Sequence, residues 1–400
     1  MVAVNESIQK PGSAQLAGSA GEAESPERNF RFYDNRQKYL MFVNTCSEKW
    51  LVAGRVQKEL DALSPQPPAV RFFDAGMGDG TVLARVLRAM HRQFEHFPFF
   101  VAGKEISLED VRLTLDKLPD RFLEHPETVL AITNISYADA PWLRPSDPEA
   151  ASRLVWKEVA LEGSSTAEFE RQILELQPFL AANWKTRVSE KTGSMVPETP
   201  TVLVLYRKDC QFLLDAVIPR KDSPRADFDL VLASQPFRLR ASLGFKARRV
   251  LAPLARALRP GGRLLGIHSA GNDPGMEIVQ KVWPGEDPFT SSRRDLLDAT
   301  REALGAEAAR FRFDPLPNRG AIFRYEMHTL PDEIDSESAS IGTSTLLAAW
   351  NAATYVAQID DERLAQAMGN SDYLDATRTV LRKHGELWFN DESYIIERTS

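Results

Sequence analysis

Cysteine is nearly absent from this chain: Cys46 and Cys210 are the only two in 400 residues, and they lie far apart. Such a pair supports neither a disulfide framework nor a zinc cluster, so no resident metal is expected. Long hydrophobic runs are also missing. No apolar stretch approaches bilayer-spanning length, and no membrane association is expected. Positive charge is in deficit: the net charge is -7 and the pI near 5.6. That balance argues against a protein whose main task is gripping nucleic-acid phosphates, although a local basic groove is compatible with it. The opening residues 1–29 are rich in Ser, Ala, Gly, Glu and Gln and lack the apolar core of a signal peptide. They read as a disordered tail, and the chain as cytoplasmic. The whole chain is 43% hydrophobic and 26% charged, enough to bury a large core.

Apolar periodicity sets out the rest. A helical pattern over 32–63 is broken by Pro65, Pro67 and Pro68 before a strand at 70–73. Helix is expected from Thr81 to about Phe97, strand at 99–103, and a new helix after Ser107, an N-cap followed by acidic residues. A third strand falls at 129–133. This alternation predicts a parallel sheet. Residues 140–226 interrupt it and read as an insertion at the carboxyl edge, with a capping box at Ser165–Glu168. Within it, a strand at 202–206 has 211–214 as a candidate hairpin partner. The pattern resumes with strand 228–233 and the turn Ser234-Gln235-Pro236-Phe237. A helix to Leu258 is expected to stop at Arg259-Pro260-Gly261-Gly262, ahead of strand 263–268. Two late helices separate strands at 321–326 and 392–397. The expected organisation is a tail (1–29), an N-terminal helical lid (30–68) and a main domain (69–400). That domain carries the insertion 140–226 and a helical cap 330–386.

The most informative segment is Phe72-Phe73-Asp74-Ala75-Gly76-Met77-Gly78-Asp79-Gly80-Thr81. Alternating glycines let the backbone turn sharply and approach a ligand that side chains would exclude. A dinucleotide fingerprint asks for G-x-G-x-x-G. Here the third glycine comes one position early, and Thr81 stands where Gly or Ala is wanted. Glu105 ends the next strand, Asn134-Ile135-Ser136-Tyr137-Ala138-Asp139 follows the third, and Leu258-Arg259-Pro260-Gly261-Gly262 precedes a later one. Each has a plain structural reading as a turn or a solvated loop residue.

In this order the four features resemble the class I S-adenosylmethionine-dependent methyltransferases, over about residues 72–269. The resemblance implies an α/β fold: a seven-stranded, mostly parallel, doubly wound sheet with helical and hairpin additions over its carboxyl edge. It also implies S-adenosyl-L-methionine as cofactor. Asp74, Gly76, Gly78 and Gly80 would form its loop, and Glu105 would accept from the ribose hydroxyls. Asn134 or Asp139 would read the adenine amine, with Ile106 or Ile135 against the ring. Tyr33, Arg36 and Tyr39 would close over the methionine end.

Ligands of open α/β sheets sit beyond the carboxyl ends of the strands, which brings Ser234 and His268 to the reacting end. His268 is the best-placed general base by topology, although a lone histidine there is often structural. Ser234-Gln235-Pro236-Phe237 lies where amino-directed members carry D/N/S-P-P-Y/F. Gln235 departs from that pattern, leaving alkyl amines, carboxylates and hydroxyls open. Ser234 and His268 are therefore the catalytic candidates, and Gln235, Phe237 and Trp283 the acceptor-binding ones. Trp283 could equally anchor its loop. The expected activity is methyl transfer to N or O of a small molecule. An RNA or protein amino-methyltransferase and a non-catalytic cofactor-binding regulator are the alternatives.

Overall fold

The computed structural model describes residues 36–189, 195–330, 334 and 340–400, so the expected tail 1–29 and Tyr33 lie outside it. Twelve strands are described: β1 (Val70–Asp74), β2 (Phe99–Lys104), β3 (Thr128–Thr133), β4 (Val155–Leu161), β5 (Thr186–Val188), β6 (Met195–Pro197), β7 (Thr201–Arg207), β8 (Phe228–Ser234), β9 (Leu258–Ser269), β10 (Phe311–Asp314), β11 (Ile322–Glu326) and β12 (Trp388–Arg398). Ten form one sheet in the order β10-β12-β9-β8-β1-β2-β3-β7-β4, with β11 also on β12. The central five, β3-β2-β1-β8-β9, are all parallel. Every residue of β1, β2 and β3 is buried, because helices cover both faces and leave no polar side to alternate with. The result is a doubly wound α/β fold.

The sheet has ten strands where seven were expected, and the extra ones lie at its edges. Strand β12 runs antiparallel to β9, and both β10 and β11 pair with β12. On the other side β7 pairs antiparallel with β3, and β4 joins β7 in parallel. The insertion therefore widens the sheet, contrary to the hairpin expected at 202–214. Residues 211–214 make a turn whose Phe212 is 92% exposed, while the apolar 201–207 run goes to the free edge of β3. The Pro260-Gly261-Gly262 segment also differs from expectation. It lies inside β9 at a bulge against β8, where a side chain on Gly262 would come within 2.4 Å of the Phe228 carbonyl.

Four helices position the site: α1 (Arg36–Thr45), α2 (Glu48–Leu60), α3 (Thr81–Gln93) and α4 (Leu108–Asp116). The single helix expected over 32–63 is broken at Cys46-Ser47. Ser47 N–H donates to the Glu326 carbonyl (2.9 Å), and Glu326 N–H donates to Ser47 Oγ (3.0 Å). This tie to β11 aims the first turn of α2 at the carboxyl ends of the strands. Helix α1 packs on helix Thr343–Val356, and Asn351 Nδ2 donates to the Lys38 carbonyl (3.0 Å). Two apolar cores fill the faces of the sheet, and a third lies among α1, the helix Pro274–Val282 and the helices after β11. Among the described residues no helix is long and apolar enough to cross a membrane.

Candidate active site

Successive strands proceed outward from β1 in opposite directions, β2 and β3 to one side and β8 and β9 to the other. That reversal opens a crevice at the carboxyl ends. A side chain on Gly76 would meet nothing nearer than the Ser234 carbonyl at 3.9 Å, so the crevice floor is bare backbone. Gly78 has φ +53°, in the region that favours glycine, and its N–H donates to Glu105 Oε2 (3.0 Å). Glu105 Oε1 accepts from Ile106 N–H (2.7 Å) and Ser107 N–H (2.8 Å), which fixes the carboxylate facing the loop. Burial holds the Glu105 carboxyl above its ordinary value, with Asp110 adding to the effect and these N–H groups opposing it. Asp74 lies beneath the loop, its Oδ1 accepting from Gly76 N–H (3.1 Å), and burial pushes its carboxyl up to about 7.

The crevice continues into a cavity of about 540 Å³ with two distinct ends. At the loop end stand Gly76, Gly78, Glu105, Ile106, Tyr137 and Trp184. Trp184 arrives from the insertion and donates its indole N–H to the Glu105 carbonyl (2.8 Å). Tyr137 carries Lys104 Nζ 4.4 Å from its ring centroid. Away from the loop stand Phe42, Glu48, Gln235, Ser269, Tyr325 and Tyr355, while Ser234 adjoins Gly76, Tyr39 adjoins Gly78, and Lys49 lies over the Tyr39 ring. Burial would lower the Lys49 ammonium, but Tyr39, Glu48 and Asp79 more than reverse that, and it is held well above its usual value. Gln235 has φ +49° and is clamped in place. Its Nε2 donates to Ser269 Oγ (3.0 Å) and Asp391 Oδ1 (3.3 Å), and its Oε1 accepts from Ser269 N–H (3.3 Å).

Asp74, Gly76, Gly78, Glu105, Ile106, Tyr39, Ser234 and Gln235 thus come together, with Asp74 under the loop and the rest lining the cavity. The other expected residues do not. Gly80 (φ +76°) packs on α4, where a side chain would lie 2.7 Å from Thr114 Oγ1 and 2.8 Å from its Cα; the third glycine admits a helix, not a ligand. Asn134 is buried and spent on the insertion: Nδ2 donates to the Thr199 carbonyl (3.0 Å), and Oδ1 accepts from Thr201 N–H (2.8 Å). Asp139 accepts from Ser136 Oγ (2.9 Å) and Ser146 N–H (3.1 Å) within its own turn. Ile135 and Phe237 belong to the core under the sheet. Trp283 stacks on Trp350 (centroids 5.5 Å apart) beneath Arg363, which anchors its loop. Tyr33 and the side chain of Arg36 lie outside the described residues.

His268 is also away from the cavity. Ser269 faces the cavity, so the side chain one residue earlier points to the opposite face of the sheet. There His268 Nε2 meets Glu392 Oε1 (3.0 Å) and the Ser291 carbonyl (3.2 Å). Both neighbours are acceptors, which assigns the hydrogen to Nε2. Sequence reasoning missed Glu48, Lys49, Ser269, Tyr325 and Tyr355. A signal existed only for the first two: Ser47-Glu48 is helix-start chemistry inside a stretch read as one helix.

No protein-family model matches the chain, and no curated relative does. Solved structures resemble it at low levels. Loganic acid methyltransferase with SAH is 10% identical, with 95% of this chain and 98% of that one covered, at a TM-score of 0.34. A protein described as a sarcosine dimethylglycine methyltransferase, from Galdieria sulphuraria, is 9% identical over 88% and 85% of the two chains, with a TM-score of 0.34. Geranyl diphosphate methyltransferase in complex with SAM is 13% identical over 86% and 85%, with a TM-score of 0.31. At such identities and scores the functional argument rests on the geometry of this chain's own site.

Proposed function

We propose that this chain is an S-adenosylmethionine-dependent methyltransferase acting on a small molecule. One observation carries the reading: a side-chain-free crevice at Gly76 and Gly78, faced by Glu105 at the switch point, opens into a second polar end of the same cavity. Its volume lies in the range of about 300–1,000 Å³ usual for cofactor and substrate pockets.

The residues present fit such a cofactor. Backbone N–H groups occupy three of the roughly four acceptor positions of Glu105, which leaves one for a ribose hydroxyl. Ile106, Tyr137 and Trp184 supply flat and apolar surface for a purine. Lys49, kept cationic, would meet the amino-acid carboxylate, a role the sequence had offered to Arg36, and Asp74 lies under the loop as the acceptor for Gly76 N–H. When bound, the cofactor supplies an already electrophilic methyl group on a positive sulfur. The task left to the chain is to hold the acceptor in line and keep water out. Phe42, Tyr325 and Tyr355 do the excluding, while Ser234, Gln235 and Ser269 offer fixed polar atoms for orientation. Two buried free cysteines accord with a reducing cytoplasmic setting, which belongs to the same reading.

Calorimetry with S-adenosylhomocysteine tests the site. Wild type should bind, and Gly78→Val should lose about a hundredfold or more in affinity while remaining folded, since its Cβ would come 3.1 Å from Tyr39 Oη in a backbone region closed to β-branched residues. Unchanged affinity would overturn the placement. Transfer of labelled methyl from the cofactor to species in an extract separates an enzyme from a silent binder.

A further inference from the structure

The far end of the cavity is acidic and aromatic. Glu48, only 6% exposed, looks into it from α2. Asp391 stands behind Gln235 and Ser269 on β12, is fully buried, and has no hydrogen-bond partner for Oδ2 among the described residues. Lys49 is the cation nearest Glu48, but its Nζ is 4.0 Å away, beyond hydrogen-bond reach, and it also answers Tyr39 and Asp79. Burial and the field of Glu48 hold the Asp391 carboxyl well above its ordinary value. Glu48 is therefore left with one distant cation and Asp391 with an open oxygen, in a site that the chain itself leaves incompletely satisfied. A buried acid without a partner is costly unless something else completes it.

The walls say what would. Phe42 packs on Tyr355 (centroids 4.9 Å apart) and meets Tyr325 edge to face (6.1 Å), so aromatic faces adjoin the carboxyl groups. Aromatic faces beside carboxylates attract a cation and its carbon chain. An acidic acceptor would be repelled, and a neutral alcohol would leave the charge unanswered.

We propose that this end binds a small alkyl amine as its ammonium form, with Glu48 as the direct partner and Gln235 and Ser269 as the polar floor. The proposal rests on the methyltransferase reading and names its acceptor class. In the reaction the ammonium gives one proton to Glu48. The freed nitrogen lone pair forms the new N–C bond as the S–C bond breaks, and that bond's electron pair stays on sulfur. A methylated ammonium and a neutral thioether result. Asp391 acts through Gln235 and is a positioning residue.

The test uses the full chain saturated with S-adenosylhomocysteine, titrated with phenethylamine, benzylamine and tyramine, and with the matched phenylacetate and 2-phenylethanol. The amines should bind at least about tenfold more tightly than the acid or the alcohol. Glu48→Gln should remove that preference while S-adenosylhomocysteine affinity stays within about tenfold, since Asp79 still supports the Lys49 cation. Asp391→Ala, which takes away the acceptor of Gln235 Nε2, should reduce the amine-to-alcohol ratio, a readout that a purely structural role would not move. Tighter binding of phenylacetate, equal or absent binding of the amines, or an unchanged preference in Glu48→Gln would overturn the proposal. Failure of wild type to bind S-adenosylhomocysteine at all would instead overturn the methyltransferase reading.

Discussion

Two adjacent rungs at the end of the β9–β12 ladder differ in almost every electrostatic respect. On one, Ser269 pairs with Asp391; on the next, His268 pairs with Glu392. Side chains alternate across a sheet, so the first rung serves the cavity and the second the layer behind it. Glu392 is completed there: Arg293 Nη1 lies 2.6 Å from Oε2, Arg293 N–H 2.7 Å from Oε1, and His268 closes the cluster. Burial alone would raise its carboxyl, but His268 and Arg293 reverse this and bring it to about 2. Asp391, one residue away and more deeply buried, has no cation beside it among the described residues and shifts the opposite way. The contrast teaches how to sort buried acids in this molecule. The satisfied one ties elements of the fold together, and the unsatisfied one stands behind Gln235 and Ser269 of the cavity.

Breaking the satisfied rung should have the largest effect. Glu392→Gln leaves Arg293 buried without its counter-charge and should cost about 3–5 kcal/mol in denaturant unfolding, with cofactor affinity of the folded protein unaltered. Next comes the glycine that faces α4. Gly80→Ala combines a left-handed backbone with a clash against Thr114, and should lose about 2–3 kcal/mol. A stability loss below 1 kcal/mol there would mean that α4 shifts aside.

A pH series on stability sharpens the comparison further. The folded state holds the Asp391 proton longer than the unfolded chain does. Its contribution is therefore full below the ordinary aspartate range and declines as pH rises through the raised value. Glu392 contributes above the ordinary glutamate range and is lost as pH falls toward about 2. Asp391→Asn should flatten the first slope and Glu392→Gln the second, as read from melting temperature against pH. The smallest effect belongs to His268→Gln, which should leave turnover within about twofold, because its ring never reaches the cavity. A large loss of turnover at intact stability would restore it as a base.

The parallel core and the loop half of the site were legible in the sequence because each was local. Gly76, Gly78 and Glu105 announce themselves through spacing, and β1, β2 and β3 through unbroken apolar runs. The expected residues that the cavity leaves out share one physical origin. His268 and Ser269 are adjacent, and sequence position alone does not say which of them a strand turns toward the ligand; that depends on the neighbour against which the strand is registered. Asn134 looked like a ligand-reading residue because nothing local reveals that the insertion folds back to use both ends of its amide. The cavity wall away from the glycine loop was hidden for the same reason. Phe42 and Glu48, Tyr325 and Tyr355, and Asp391 come from remote segments with no pattern of their own, joined only by tertiary packing.

That scatter along the chain sets an order of assembly during synthesis. The glycine loop can exist as soon as β1, β2 and β8 have emerged from the ribosome, whereas the opposite wall must await Tyr355 and finally β12. On the proposed function, a nascent molecule could hold its donor yet lack the chamber that would select an acceptor until the last wall docks.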